Sequence, residues 1–333
     1  MLLLALLYAL SAHCAAQSTP TDKAQSNAVD YQDLAAHFDY SRQTALRLEE
    51  RGVERRGKAL LIDLVYEGSG EDDHVPAYLV MPDGGGPYPA IIWGHWMMDG
   101  SPLRNRDEFL DEALVLARCG VVSLLIDTPM LRPGYKQLSI KDDPIGWAEQ
   151  SSENDRQEVV DLRRGVDLLI SRRQVDRHRI AYVGHSFNAH AGAFLAAVEP
   201  RICCFALMGG TYNDEQYVRT TKDPNVLKWK EQAGEDQVEH YMRDYAWDDP
   251  AHFVGHTENK SIFLQFATGD HVDREEAQKW LDSFSAKDKR TEIYNTSHAF
   301  NAAARLDRDR WLQQHLHFKH PDEAALNAIP QLK

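Results

Sequence analysis

Short runs of apolar residues recur along this chain, and segments with helical periodicity separate them. Continuous apolar runs of this length are typical of strands buried on both faces, as in a parallel sheet covered by helices. We therefore expect an α/β fold with a mostly parallel, twisted sheet and helices on both faces. The predicted buried strands are 90–93 (AIIW), 121–127 (VVSLLID), 179–184 (RIAYVG), 202–210 (ICCFALMGG), 261–269 (SIFLQFATG) and 291–295 (TEIYN).

The segments around this core have other patterns. Residues 59–68 and 75–82 are predicted to be two strands that pair as an antiparallel edge. The charged stretch 31–57, with spaced Leu and Ala, is predicted to be helical, and a polar insertion at about 211–260 is predicted to form a helical cap. Aromatic residues of the insertion either line a pocket or form the cap's own core: Tyr212, Tyr217, Trp229, Tyr241, Tyr245 and Trp247.

The first sixteen residues resemble a secretory signal peptide. An apolar run is followed by small residues, and Cys14-Ala15-Ala16 fits a cleavage site before Gln17. We expect a secreted or periplasmic protein without stable membrane insertion, because the run is too short to span a bilayer. No basic residue precedes the run, so the alternative is a buried first helix or a misplaced start and a cytoplasmic protein. The predicted divisions are 1–16 (signal), 17–57 (linker and helical segment), 58–320 (α/β domain) and 321–333 (tail).

Charge and cysteine content narrow the classes of partner and metal site. The chain has 51 acidic and 37 basic residues, a formal net charge of −14. An acidic surface repels phosphate backbones, which argues against nucleic acid as a partner. No C-x-x-C spacing occurs, so a zinc ribbon is excluded. Cys119, Cys203 and Cys204 are expected to be small buried hydrophobes, with a disulfide from Cys119 to one of the other two as the alternative.

The stretch YVGHSFNAH, residues 182–190, has the features of a catalytic serine on a strand-to-helix turn. Such a turn lifts Ser186 out of the sheet, and the helix that follows favours negative charge at its N-terminus. The backbones of the strand and the helix approach closely there, so the residues packed beside the turn must be small. Four residues meet that need: Gly184, Ala189, Ala191 and Gly192.

Two later strands end in residues that would complete a catalytic triad. Asp270 follows the strand at 261–269, and His298 follows the last strand. A serine hydroxyl needs a base, which suits imidazole, and a carboxylate that orients the imidazole and stabilises its charged form. The order Ser186, Asp270, His298 is that of the α/β-hydrolase triad. Asp273 is a rival acid that more simply caps the next helix, and Asp214 is a second rival.

Together these segments resemble α/β-hydrolase serine esterases of the dienelactone hydrolase and acetyl-esterase type. The resemblance covers about residues 59–318. It implies an α/β-hydrolase fold, a serine nucleophile, a small-molecule ester or lactone substrate, and neither metal nor cofactor. It rests on VPAYLVMPDGGGPYPAIIWGHW, QEVVDLRRGVDLLISRRQVDRHRIAYVGHSFNAHAG, ATGDHVDREEAQKW and NTSHAFN.

The resemblance also implies an oxyanion hole. The backbone N–H groups of Trp96 and Phe187 would hold the oxyanion. From the residues themselves, His95, His185 and Asn188 are candidates for the substrate pocket, with packing as the alternative for His95 and a structural role as the alternative for His185. Asn188 stands where the family usually has glycine, and it is expected to adopt the turn that glycine would fill and to face the pocket or brace the turn.

Two alternatives to an esterase stay open. One is an amidase or peptidase on the same scaffold. The other is a non-catalytic binding protein that kept the α/β-hydrolase fold. Turnover of esters and of anilides, compared between the protein and a variant without the Ser186 hydroxyl, distinguishes all three.

Overall fold

The computed structural model describes residues 30–70, 73–270 and 272–331. Nine strands of these residues form one sheet with the order β1-β2-β3-β5-β4-β6-β7-β8-β9. The predicted signal peptide at 1–16 lies outside the described residues. The strands are β1 Glu49–Arg56, β2 Ala59–Glu67, β3 His74–Pro82, β4 Tyr88–Gly94, β5 Val122–Ile126, β6 Val175–His185, β7 Cys204–Met208, β8 Ser261–Ala267 and β9 Asp288–Tyr294.

The sheet is parallel from β5 through β4 to β9 and antiparallel at its other end. The prediction that 59–68 and 75–82 pair antiparallel is confirmed. The prediction of a helix across 31–57 is wrong for its second half, because Glu49–Arg56 is the edge strand β1. Both faces of β1 are exposed, so it lacks the alternation of apolar and polar residues that identifies a half-buried strand.

Helices cover both faces of the sheet. Alternate residues of a strand point to opposite faces, and Ile92 and Trp93 of β4 accordingly belong to different hydrophobic cores. The helices are α1 Tyr31–Ala35, α2 Leu110–Ala117, α3 Pro144–Ser171, α4 Phe187–Val198, α5 Asp214–Thr220, α6 Pro224–Ala233, α7 Glu235–Asp244, α8 Arg274–Ser283, α9 Ala302–Leu316 and α10 Glu323–Asn327. Helices α3, α4 and α8 pack on the face of Ile92, and α2 and α9 pack on the face of Trp93.

The insertion between β7 and β8 contains α5, α6 and α7, as predicted for a helical cap. We call residues 211–260 the cap. Its aromatic residues serve both predicted purposes. Trp229 packs with Val238 in a small core against α3, which Tyr241 also contacts, and Trp229, Tyr217 and Tyr241 line a cavity beneath the cap.

Cys119, Cys203 and Cys204 are free thiols in the described part of the chain, and Cys119 and Cys204 are buried. Across residues 30–70, 73–270 and 272–331, no helix combines the length and the apolar character needed to cross a membrane.

Candidate active site

Ser186 occupies a strained turn between β6 and α4. Its backbone has φ 58° and ψ −115°, a conformation that residues other than glycine rarely adopt. The Ser186 N–H donates to the Met208 carbonyl at the end of β7, over 2.7 Å, which holds the turn against the sheet. Strain at this position is typical of a nucleophile on a strand-to-helix turn.

Asp270 and His298 form a hydrogen-bonded pair. Nδ1 of His298 lies 2.6 Å from Oδ1 of Asp270, and Oδ2 of the same carboxylate accepts the Ala267 N–H over 2.9 Å. Because the carboxylate accepts a hydrogen bond from Nδ1–H, Nε2 of a neutral His298 carries the lone pair that a base needs. Asp273 caps α8, as expected, by accepting the Glu276 N–H.

Ser186, Asp270 and His298 line one cavity beneath the cap. Gly209, directly after β7, also lines it and has φ +62°. A Cβ on Gly209 would lie only 2.8 Å from Cε1 of His298. The Met208 carbonyl, one residue earlier, accepts the Ser186 N–H. The end of β7 therefore contacts both the turn of the serine and the imidazole of His298.

The structure treats the two predicted oxyanion donors differently. Phe187 opens α4 and lines the cavity, and the first N–H groups of a helix have no acceptor within the helix. The Trp96 N–H instead donates to Oε2 of Glu108 over 2.6 Å. The prediction for Trp96 is therefore wrong in this conformation, because its backbone N–H already donates a hydrogen bond to a buried carboxylate.

The side chains of His95 and His185 are buried. Neither is among the described residues that line the cavity. Nδ1 of His95 donates to the Trp96 carbonyl over 2.7 Å, and Nε2 accepts the Thr128 N–H. Burial lowers the pKa of His95 to about 4, so the ring is neutral and structural. The pocket assignment of both histidines is wrong, since both rings make only internal hydrogen bonds.

Asn188 lies in the first turn of α4, fully buried. Its Nδ2 donates to the His95 carbonyl over 2.9 Å, and its Oδ1 accepts the Tyr182 hydroxyl over 3.0 Å. The left-handed residue of the turn is Ser186, so the expectation that Asn188 takes this conformation is wrong. Asn188 braces the turn and does not face the pocket, and Gly94 makes room for it, because a Cβ there would overlap its amide.

Sequence reasoning missed Glu108. Its side chain is 1% exposed and contacts both His185 and the Trp96 N–H. Glu108 lies among the charged residues before α2. Its position in the sequence does not distinguish it from an acidic residue exposed to solvent. Neither a motif nor periodicity could have identified it.

Comparisons with known proteins agree with this architecture. Neither a family model nor a curated protein matches the chain. Among solved structures, an acetyl xylan esterase from Paenibacillus sp. R4 is similar at 17% identity and TM-score 0.64, covering 86% of this chain and 93% of that one. Acetyl Xylan Esterase 1 from Thermoanaerobacterium sp. JW/SL YS485 is similar at 14% identity and TM-score 0.67, covering 87% and 93%.

A glucuronoyl esterase from Solibacter usitatus is similar at 14% identity and TM-score 0.52, covering 89% of this chain and 91% of that one. At these identities the likeness shows a shared fold. Taken with the sheet order and the strained Ser186 turn, it shows that this chain has the α/β-hydrolase fold.

Proposed function

We propose that the protein is a serine hydrolase that cleaves carboxylic esters through an acyl-enzyme intermediate. One observation supports this above all. Ser186, on its strained turn, opens into the same cavity as the hydrogen-bonded pair Asp270 and His298. Nucleophile, base and orienting acid thus come from the ends of different strands, as in the α/β-hydrolase triad.

The proposed reaction begins when Nε2 of His298 takes the proton of the Ser186 hydroxyl and Oγ attacks the ester carbonyl. The Phe187 N–H stabilises the negative charge that develops on the carbonyl oxygen. His298 then gives the proton to the leaving alcohol. A water molecule, deprotonated by the same imidazole, releases the acid, while Asp270 stabilises the imidazolium in both steps.

The cavity supports a bulky alcohol as leaving group. Its volume is about 1620 Å³, and aromatic side chains of the cap and of α3 form part of its wall. The similar structures include proteins named acetyl xylan esterase and glucuronoyl esterase. We extend the proposal to esters that join a small acid to a large polar alcohol such as a sugar.

Hydrolysis of p-nitrophenyl acetate, with labelling by an active-site phosphonate, tests the proposal. Ser186→Ala is expected to abolish labelling and to lower kcat by at least about 1,000-fold. Ser151→Ala is the matched control, because Ser151 lines the same cavity. Absence of turnover and labelling in the wild type would instead support a binding protein. Turnover of anilides without esters would support an amidase.

We also propose that the protein is exported. The apolar run and the small residues at 14–16 support this proposal. Expression of the full chain with a C-terminal tag, followed by N-terminal sequencing, is expected to find mature protein that begins at Gln17. Recovery of the intact N-terminus in the cytoplasm would contradict it.

A further inference from the structure

Three side chains from three elements converge where the cap meets the core. Asp155 belongs to α3, His190 to α4, and Asp248 lies after α7 in the cap. Each offers one ligand atom, and these atoms all lie within 4.8 Å of one another. Asp214 of α5 is adjacent, with Oδ2 3.5 Å from Nε2 of His190. All four residues line the cavity that contains Ser186.

His190 presents a lone pair to these carboxylates. Its Nδ1 lies 3.3 Å from the Thr211 carbonyl, which can only accept, so Nδ1 carries the proton. With the proton on Nδ1, a neutral ring has its lone pair on Nε2, the atom that lies 3.5 Å from Oδ2 of Asp214. A backbone carbonyl that fixes the tautomer of a ring in this way is a regular feature of metal-binding histidines.

The carboxylates lack the partners that buried charges need. Asp155 is 6% exposed, and its Oδ1 has no hydrogen-bond partner among the described residues. Oδ1 of Asp248 is enclosed and equally without a partner in the described ranges. The side chains of Asp248, Asp214 and Glu158 add further carboxylates close to Asp155. Buried polar atoms of this kind call for a partner, and here the surrounding charges are negative.

We propose that Asp155, His190 and Asp248 bind one divalent transition-metal cation of the Mn²⁺ or Zn²⁺ class, with Asp214 within reach as a fourth ligand. Carboxylate oxygens suit Mn²⁺ and imidazole nitrogen suits Zn²⁺, whereas a site without thiolates does not select Cu(I). The family resemblance implied no metal. The cation proposed here takes no part in the reaction at Ser186.

The cation would connect the cap to the core. Its ligands come from α3, from the helix that follows Ser186, and from the cap. His190 lies one turn after the nucleophile, and its N–H donates to the Ser186 carbonyl over 3.1 Å. Binding would therefore hold the cap against α4 and stabilise the folded protein.

Calorimetric titration of the full chain, first treated with a chelator, tests the site directly. Mn²⁺ and Zn²⁺ are titrated separately, and one cation per chain is expected. At a concentration 100-fold above the measured Kd, the cation is expected to raise Tm by about 4 °C. Absence of binding by both cations at millimolar concentration overturns the proposal. Neither readout depends on turnover, so failure here is distinct from failure of the proposed esterase activity.

Variants decide whether the cation binds at these residues. Asp155→Asn and Asp248→Asn are expected to weaken binding at least tenfold, because an amide is a much poorer ligand than a carboxylate. His190→Gln is expected to weaken binding as well. The matched controls are Asp142→Asn and His240→Gln at exposed positions, and both should bind as the wild type does. Wild-type binding by all three cluster variants would overturn the assignment.

Discussion

Glu108 links His185, the residue before the nucleophile, to the loop after β4. Oε1 of Glu108 lies 2.6 Å from Nδ1 of His185, and Oε2 accepts the Trp96 N–H over 2.6 Å. Nε2 of His185 donates to the His298 carbonyl over 2.8 Å. One buried carboxylate therefore positions three segments: the loop that holds Trp96, the turn of Ser186 and the loop of His298.

Replacement of Glu108 should reveal this positioning role. Glu108→Ala leaves the Trp96 N–H and the His185 ring without their partner, which is expected to cost about 2–5 kcal/mol of unfolding free energy. Displacement of the His298 loop should also lower kcat/KM about 10- to 100-fold. Glu108→Gln can make both hydrogen bonds and should recover most of the stability. Urea unfolding and ester kinetics measure both effects, with exposed Glu149→Ala as control. Wild-type values in Glu108→Ala would refute the role.

Asn188 and Gly94 should be energetically coupled, because the Asn188 amide fills the space that a Cβ on Gly94 would need. Asn188→Gly removes two buried hydrogen bonds and adds a helical glycine, at a cost of about 2–4 kcal/mol. Gly94→Ala overpacks the same space and should cost about 1–3 kcal/mol. The double variant is expected to be less destabilised than the sum by about 1–3 kcal/mol.

Urea unfolding of the four proteins in this cycle measures the coupling. The cycle needs no assay of activity, so it stands apart from the proposed function. Strict additivity of the two changes would contradict the steric relationship between Asn188 and Gly94.

The sequence predicted those parts of the fold that have strong local signals. The buried strands were identifiable because continuous apolar runs alternate with helices. The positions of Asp270 and His298 followed from the topology, since parallel strands end at one edge of the sheet. The structure brings these two side chains into a hydrogen bond.

What the sequence could not reveal depends on contacts between distant residues. Asn188 was expected to adopt the left-handed turn, but the backbone assigns that conformation to Ser186. The Trp96 N–H was expected to be available, but Glu108, twelve residues later, accepts it. Which acceptor binds a given backbone N–H depends on three-dimensional packing, and the periodicity of the sequence carries no information about it.

Gly209 should be needed for activity because it leaves space for the His298 imidazole, and not only because it adopts a left-handed backbone conformation. A Cβ there would lie 2.8 Å from Cε1 of His298, so Gly209→Ala should displace the imidazole and lower kcat/KM about 100-fold. Gly57→Ala is a close control, because Gly57 has φ +63° against +62° for Gly209, and a Cβ on Gly57 would meet nothing within 4 Å. Both variants should lose about 1–2 kcal/mol of stability through the left-handed backbone. Equal activity of the two variants would refute the contact with His298.

Glu158 should make the protein less stable as the pH rises. Its side chain is fully buried, and burial raises its pKa from the ordinary value of 4.5 to about 8, although Arg132 opposes the shift. Between these two values the folded state holds a proton that the unfolded state has lost. The free energy of unfolding therefore falls as the pH rises through this window, by up to about 1.4 kcal/mol per pH unit for this group.

Glu158→Gln should remove that contribution, because its neutral amide does not titrate. Urea unfolding at pH 5.5, 6.5 and 7.5 is expected to give a flatter dependence on pH than the wild type has, with the largest gain in stability at pH 7.5. Burial also raises the pKa of Asp161, to about 7, so some dependence on pH should persist in the variant. Glu153→Gln, at an exposed position of the same helix, should follow the wild type. Parallel curves for wild type and Glu158→Gln would show that Glu158 is already ionised in the folded protein.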